Sequence, residues 1–256
     1  MPHNFDHWGS LPKVSCTCIT YGRPVLLGEA VQSFLDQDYP GEAELVILND
    51  EAQTRLIGEE LSMGGREIRI INAPQRFDTV GAKRNECTAL ARGEVILPWD
   101  DDDIHLPWRI SLTVARMTNF NHWKADSLWF WNKGDIRNGA PTKAMAPSMA
   151  GYSKEIFERV GGYDPIQSGQ DVTLENKFAK VGIRMIDGLK PHEVYYIYRF
   201  SGTRSYHLSS YGYGKGYEEV GRYVERRTRV KGEVRIIPHY KQDYLDLINN
   251  ICSDLD

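Results

Sequence analysis

The sequence has few of the features that mark the common specialised classes of protein. Its four cysteines form no CxxC pair and no cysteine-histidine spacing suited to zinc. No run reaches the roughly 18 apolar residues of a membrane-spanning helix, and the first 13 residues lack the apolar core of a secretory signal. The net charge of -4 is not the basic excess of a dedicated nucleic-acid-binding protein. We therefore expect free thiols and a cytoplasmic protein, or one that binds membranes only peripherally.

Two common phosphate-binding signatures are also missing. There is no GxxxxGK[ST] motif, and the segment after the first predicted strand is Thr20-Tyr21-Gly22-Arg23-Pro24 rather than GxGxxG. The sequence therefore argues against a P-loop nucleotidase and against a dinucleotide-binding dehydrogenase.

The chain does contain the apolar content of a folded domain, with 41% hydrophobic and 11% aromatic residues in 256. Strands are predicted over 14–20, 44–48, 68–71 and 95–99, and helices from residue 24 and over 80–91. This alternation predicts an α/β fold with a parallel sheet covered on both faces. Ligands of such sheets bind beyond the carboxyl ends of the strands, so Tyr21, Asn49-Asp50 and 100–103 should border one crevice.

The run Asp100-Asp101-Asp102-Asp103 is the sharpest feature of the sequence. Four carboxylates at the end of a strand repel one another, and a hard divalent cation relieves that repulsion. Mg2+ and Mn2+ typically take one or two carboxylates and complete their coordination with water and phosphate oxygens. The run therefore indicates a phosphate-bearing substrate. The alternative is an acidic loop without chemistry near a helix N-terminus.

Several motifs together resemble glycosyltransferase family 2 enzymes of the GT-A fold, over about residues 12–210. In order, they are VSCTCITYGRP, ELVILND, GAKRN with ALARGEVILPWDDDD, and GGYD followed by SGQD. The resemblance implies a Rossmann-like fold with a mostly parallel central sheet, a nucleoside-diphosphate-sugar donor, Mn2+ or Mg2+, and inversion at the anomeric carbon. A GT-A domain would occupy 1–210, with nucleotide-binding (about 12–105) and acceptor-binding (about 106–210) parts. Residues 211–256 would form a basic extension packed on it.

The resemblance also assigns donor-binding residues. Thr20 is similar to the residue at the nucleotide base, with Tyr21 and Arg23 in the adjoining loop, and Asp50 resembles the acid that binds uracil in relatives that use UDP. Asn49 stands where many relatives carry a first acid, but a UDP-sugar remains favoured. The family's basic segment, which faces the nucleotide, corresponds to Lys83, Arg84 and Asn85. The alternative for the two cations is a solvated helix face.

The metal-binding DxD motif of the family aligns with the acidic run through Ile104 and Pro107. This alignment makes Asp102 the metal ligand, with Asp103 nearby and Asp100 or Asp101 toward the ribose, and a run of four acids leaves the register open by one residue. His207 lies where some GT-A enzymes supply a late histidine to the metal or diphosphate. As a lone histidine it is equally compatible with a structural role.

Asp171 matches the general base of inverting relatives, which takes the proton of the acceptor hydroxyl. Its alternative is a helix N-cap. Acceptor-binding residues are expected between the donor site and this base, where Trp129, Trp131 and Tyr152 offer aromatic faces to sugars. Packing in the core is the alternative for all three.

These features predict a metal-dependent inverting glycosyltransferase whose acceptor is a glycan, a lipid-linked glycan or another hydroxyl compound. The stretch 215–241 carries eight Lys or Arg against four Glu, so a polyanion, including nucleic acid with a hydroxylated base, is a further candidate partner. Two alternatives remain. A sugar nucleotidyltransferase of related fold usually has a glycine-rich basic segment after the first strand, which is missing here. Against a non-catalytic nucleotide- or glycan-binding module stand the intact Asp102 and Asp171.

Overall fold

The computed structural model describes residues 4–117, 121–132, 135–139, 147–183, 186–199 and 230–253. The strands are β1 Val14–Thr20, β2 Ala43–Asn49, β3 Thr54–Ile57, β4 Arg66–Asn72, β5 Val95–Pro98, β6 Ile104–His105, β7 His122–Ala125, β8 Leu128–Asn132, β9 Asp135–Gly139, β10 Ala150–Ser153, β11 Ile186–Asp187, β12 Tyr196–Arg199 and β13 Gly232–Arg235. The α-helices are α1 Pro24–Leu35, α2 Val80–Ala89, α3 Arg109–Arg116, α4 Lys154–Arg159, α5 Gln170–Lys180 and α6 Tyr244–Ser253. None of the helices in these ranges has the length and hydropathy needed to cross a bilayer.

The central sheet has seven strands in the order β11-β7-β10-β5-β1-β2-β4. Its β5-β1-β2-β4 part is parallel, and β10 joins it antiparallel to β5 and β7. Every residue of β2 is buried, as expected for a strand covered on both faces. Thr20 pairs with Asn49, and Asn49 with Asn72, so β1, β2 and β4 end at one edge. The loops after these strands therefore meet there.

A smaller sheet, in the order β6-β12-β8-β9, lies next to the loop that follows β5. Strand β12 pairs antiparallel with β6 and parallel with β8. Because β6 begins directly after the acidic run, this pairing brings β12 against Asp102 and Asp103. A separate parallel pair, β3 with β13, ties residues 232–235 to the domain.

The main hydrophobic core includes residues of the central sheet, α1, α3 and the smaller sheet. Its large buried side chains include Trp99, Trp123 and Trp129. Tyr244 and Ile248 of α6 belong to the same core. The described C-terminal residues therefore pack on the same core as the preceding strands and helices.

Helix α2 lies very close to the turn that precedes α5. The Gly81 amide donates to the Ile166 carbonyl at 3.1 Å, and a Cβ on Gly81 would lie 1.9 Å from the Asp164 carbonyl oxygen. Alanine stabilises a helix by about 1 kcal/mol relative to glycine. Here, however, the obstructing atom belongs to the backbone of Asp164, which cannot move away by a side-chain rotation.

We therefore expect Gly81→Ala to lower the free energy of unfolding by about 1–3 kcal/mol, as overpacking does. Denaturant unfolding followed by circular dichroism measures this change. Gly9→Ala is the matched control, because a Cβ there meets nothing within 4 Å. An unchanged midpoint for Gly81→Ala would contradict the prediction, because the cost of moving the turn would then only offset the gain of about 1 kcal/mol in helix propensity.

Candidate active site

The four aspartates after β5 have different partners. Asp101, Asp102 and Asp103 are buried, with at most 4% of any residue exposed, and Asp100 is partly exposed. Such burial would be very costly for unpaired charges. The structure supplies two arginines and several hydrogen-bond donors, which are described in turn below.

Arg23 spans two of these carboxylates. Its Nη1 donates to Asp102 Oδ2 at 2.8 Å and its Nε to Asp101 Oδ2 at 3.2 Å, while Nη2 pairs with Asp101 Oδ1. Thr20 Oγ1 also donates to Asp101, at 2.6 Å. Burial disfavours the charged guanidinium, but Asp101 and Asp102 outweigh burial and raise the pKa of Arg23. The loop brings Arg23 there through Gly22, whose φ of 62° is left-handed, and Pro24 then begins α1.

Helix α2 supplies two more cations to the same edge of the sheet. Lys83 Nζ donates to the Thr20 carbonyl at 2.6 Å and pairs with Asp50. Arg84 Nη2 donates to Asp100 Oδ1 at 3.0 Å, and the Ser148 hydroxyl donates to the other Asp100 oxygen. Burial lowers the pKa of Lys83, in part against the attraction of Asp50. Neither cation lies on a solvated helix face.

Asp50 and Asn49 have separate tasks at the end of β2. Asp50 Oδ2 accepts the Phe77 amide at 3.1 Å in addition to its pairing with Lys83. Asn49 Nδ2 donates to the Thr54 carbonyl at 2.7 Å and to Asn72 Oδ1 at 3.1 Å. A carboxylate at residue 49 could donate to neither acceptor. An amide there therefore suits the strand junction, which accounts physically for the missing first acid.

Two of the predicted nucleotide-binding residues contact neighbouring protein groups. The Tyr21 ring lies below the Arg76 guanidinium, whose Cζ is 4.7 Å from the ring centroid. The Asn85 amide donates to the Tyr163 carbonyl and accepts the Tyr163 amide, both at 2.8 Å. Asn85 therefore holds the turn at 161–165 against α2.

Asp103 is enclosed by β12. Its carboxylate accepts the Tyr196 hydroxyl and, at 2.8 Å, the Arg199 amide, and no part of the residue is exposed. The Arg199 side chain donates through Nε to the Asp102 carbonyl and pairs through Nη1 with Glu29. Both oxygens of Asp103 thus bind protein donors. This arrangement favours Asp102 over Asp103 as a ligand.

Asp171 is the second residue of α5 and is partly exposed. The N-cap is Gly169, with no side-chain cap, so Asp171 is not the capping residue considered above. Burial opposes the charged form of Arg84, but Asp100 and, more weakly, Asp171 raise its pKa. Asp171, on α5, is therefore close enough to interact electrostatically with Arg84 on α2, which pairs with Asp100.

The aromatic residues predicted to bind an acceptor have different environments. Trp129 and Tyr152 are each 1% exposed; Trp129 Nε1 donates to the Val194 carbonyl, and the Tyr152 hydroxyl lies 3.0 Å from that of Tyr163. Both fill the core, so neither presents a ring face to an acceptor in this conformation. Trp131 is partly exposed and remains a candidate. His207 and residues 215–229 of the basic stretch lie outside the described residues.

The family model of glycosyl transferase family 2 matches residues 15–159. The chain belongs to this family. An uncharacterised glycosyltransferase of Methanocaldococcus jannaschii is 31% identical over 149 residues, which are 57% of this chain and 50% of the relative. The chain thus spans half the length of that curated relative.

Solved structures of glycosyltransferases share the fold. Residues 1–349 of S. aureus TarS, in complex with UDP-GlcNAc, match 84% of this chain and 65% of theirs, with a TM-score of 0.60 and 16% identity. The mannosyltransferase PcManGT of Pyrobaculum calidifontis, in complex with GDP-Man and Mn2+, matches 77% of this chain and 59% of its own, with a TM-score of 0.57 and 17% identity. The family 2 domain therefore has the GT-A fold.

The family 2 domain offers oxygen ligands of the type that hard cations prefer. No group of three or more histidine, cysteine or acidic side chains that could hold a metal occurs within the described residues. A metal bound with a diphosphate needs only one or two carboxylates, and Asp101 and Asp102 adjoin each other at the strand end. The two carboxylates have the chemistry that Mn2+ or Mg2+ requires. In the structure, Arg23 contacts both Asp101 and Asp102.

Polar residues that contact predicted site residues but were not predicted from the sequence include Arg76, Ser148, Tyr196 and Arg199. Each contacts a site residue through one side chain that carries no motif and follows no periodic pattern. Arg199 lies 97 residues beyond Asp102 in the chain. The pairing of β12 with β6 brings the two together.

Proposed function

We propose that the protein transfers a sugar from a nucleoside-diphosphate sugar, most simply a UDP-sugar, to an acceptor hydroxyl with inversion. In this proposal Asp102 holds Mn2+ or Mg2+, and Asp171 is the general base. The observation that carries it is the convergence of Arg23, Lys83 and Arg84 on the acidic loop and Asp50. Cations beside carboxylates suit a ligand that contains both a diphosphate and a metal.

The donor end is supported by the chemistry of Asp50. A carboxylate accepts the imide N–H of uracil, and the same acceptor suits the corresponding N–H of guanine. Asp50 pairs with Lys83, whose ammonium also donates to the Thr20 carbonyl. The two glycosyltransferases of similar fold were solved with UDP-GlcNAc and GDP-Man, which is compatible with either base. The family resemblance decides our preference for UDP.

The acceptor end depends on Asp171. For inversion, the acceptor oxygen attacks the anomeric carbon from the side opposite the departing diphosphate, and a base must take the hydroxyl proton there. Asp171 is a partly exposed carboxylate on the first turn of α5, beyond the Arg84–Asp100 pair. A divalent cation at Asp102 would stabilise the negative charge of the leaving group. We propose a glycan, lipid-linked glycan or other hydroxyl compound as acceptor.

The proposal predicts metal-dependent stabilisation by one nucleoside diphosphate. A ligand at about 100 times its Kd adds about 2.7 kcal/mol to the free energy of unfolding, which raises Tm by several degrees in a domain of this size. We expect UDP with Mn2+ to give this shift in a thermal panel with GDP, CDP, TDP and ADP.

Asp102→Asn should lose the Mn2+-dependent part of the shift. Asp246→Asn, an exposed acid of α6 that hydrogen-bonds Asn250, is the matched control and should respond like the wild type. No shift in Tm with any nucleotide, with or without Mn2+, would contradict the proposal. It would favour the alternative of a non-catalytic binding module.

A further inference from the structure

We propose that Arg23 is a displaceable counter-cation of the acidic loop: its guanidinium competes with the divalent metal for Asp101 and Asp102, and a bound diphosphate draws it away. This inference rests on the proposed metal-dependent donor site. It assigns Arg23 a second task, because the metal then binds tightly only together with the nucleotide.

The contacts of Arg23 carry the competition. Its guanidinium donates to both oxygens of Asp101 and to Asp102 Oδ2, the last at 2.8 Å. Asp102 is the proposed metal ligand and Asp101 adjoins it, and both side chains are at most 5% exposed. A metal bound there with Arg23 still in place would put a double positive charge beside a guanidinium. One of the two has to leave.

Arg23 is the arginine best placed to move. It lies on the loop before α1, at the edge of the sheet, and 9% of its side chain is exposed. Arg199, by contrast, is completely buried and joins the Asp102 carbonyl to Glu29 in the interior. Arg84 contacts Asp100 rather than Asp102. Arg23 therefore has both the contact with the metal position and access to the crevice.

A diphosphate gives the displaced guanidinium a better partner. Arginine binds phosphate oxygens through two parallel hydrogen bonds, and charge-assisted bonds of this kind are the strong ones. When Arg23 moves to the diphosphate, Asp101 and Asp102 become available to the cation. Nucleotide and metal then favour each other's binding, which is a coupling between two sites in the thermodynamic sense.

The test measures Mn2+ affinity without nucleotide, by the loss of the electron paramagnetic resonance signal of free Mn2+. We expect Arg23→Gln to bind Mn2+ about tenfold more tightly than the wild type, within the usual range of such couplings. Arg84→Gln is the matched control, because it removes the same charge from the neighbouring pair with Asp100. Its gain should be clearly smaller, since it does not contact Asp102.

Adding UDP should tighten Mn2+ binding in the wild type but much less in Arg23→Gln. Arg23→Lys keeps the charge and loses the fork, so its affinity should lie between those of the wild type and Arg23→Gln. If Arg23→Gln is less stable than the wild type because it lacks the counter-cation, Mn2+ should raise the Tm of this variant more than it raises that of the wild type.

Equal Mn2+ affinities for Arg23→Gln and Arg84→Gln would contradict the proposed competition between Arg23 and the metal. Any gain in affinity would then be a general effect of removing a positive charge. If wild type binds Mn2+ with UDP while Arg23→Gln gains nothing, the inference fails and the proposed donor site stands. A third outcome is that no nucleotide promotes Mn2+ binding to the wild type, and that Arg23→Gln and Asp102→Asn bind Mn2+ no more tightly than the wild type does. In that case the proposed donor site and the inference both fail.

Discussion

Asp171→Asn is expected to lower the turnover number about a hundredfold or more, because general-base catalysis contributes about 10²–10⁴-fold. Asparagine keeps the shape of the side chain and cannot accept the proton of the acceptor hydroxyl. Asp171 does not cap α5, whose N-cap is Gly169, so we expect the variant to fold. The measurement is the rate of nucleoside-diphosphate release, with acceptor present, from a sugar donor that carries the nucleotide identified in the thermal panel.

The matched control for this variant is Asp164→Asn. Asp164 lies in the turn before α5, where it pairs with Lys177 at 2.7 Å on a partly exposed surface, and its loss should leave turnover near the wild-type value. Both variants should keep the nucleotide-dependent rise in Tm. An Asp171→Asn enzyme that works at the wild-type rate would transfer the role of base to another residue.

The parallel half of the fold and the general position of the donor site follow from local patterns in the sequence. Runs such as residues 45–48 are continuously apolar, which indicates an element covered on both faces, and the loops after β1, β2 and β5 must then meet. The family resemblance predicts that Lys83 and Arg84 face the nucleotide, and both residues lie at this edge beside acids.

The partners within the site could not be predicted from the same patterns. Sequence indicates that four adjacent carboxylates need positive charge, but it does not say whether a metal or an arginine provides it. In the structure Arg23 and Arg84 neutralise part of the run, so the repulsion among the aspartates does not by itself require a metal. Pairing of this kind depends on side-chain reach across loops, which has no periodicity.

The acceptor side was harder to predict for a different reason. Strands β8 and β10, which carry Trp129 and Tyr152, have five and four residues, too few for an alternating pattern to distinguish the buried face from the exposed one. Trp129 and Tyr152 lie on the buried side. Aromatic residues are common both in cores and in sugar-binding sites, so residue type alone could not separate the two interpretations.

Arg199→Met is expected to lower the free energy of unfolding by about 3–5 kcal/mol, because breaking a buried ion pair leaves an uncompensated charge. Arg199 and Glu29 have no exposed side-chain surface. Glu29 would keep Lys241, at 3.7 Å, and the Tyr244 hydroxyl as partners, and neither of these replaces a guanidinium. Urea unfolding followed by fluorescence measures the loss.

Glu29→Leu in combination with Arg199→Met should restore most of this stability, since apolar replacement of a whole buried pair is often neutral or stabilising. Mn2+ affinity should behave differently. Arg199 also donates to the Asp102 carbonyl, and neither variant retains that bond, so metal binding with UDP should stay weakened in the double variant. If the double variant recovered both stability and Mn2+ affinity, Arg199 would act on the acidic loop only through the stability of the fold. Recovery of stability without recovery of Mn2+ affinity would identify Arg199 as the residue that positions Asp102.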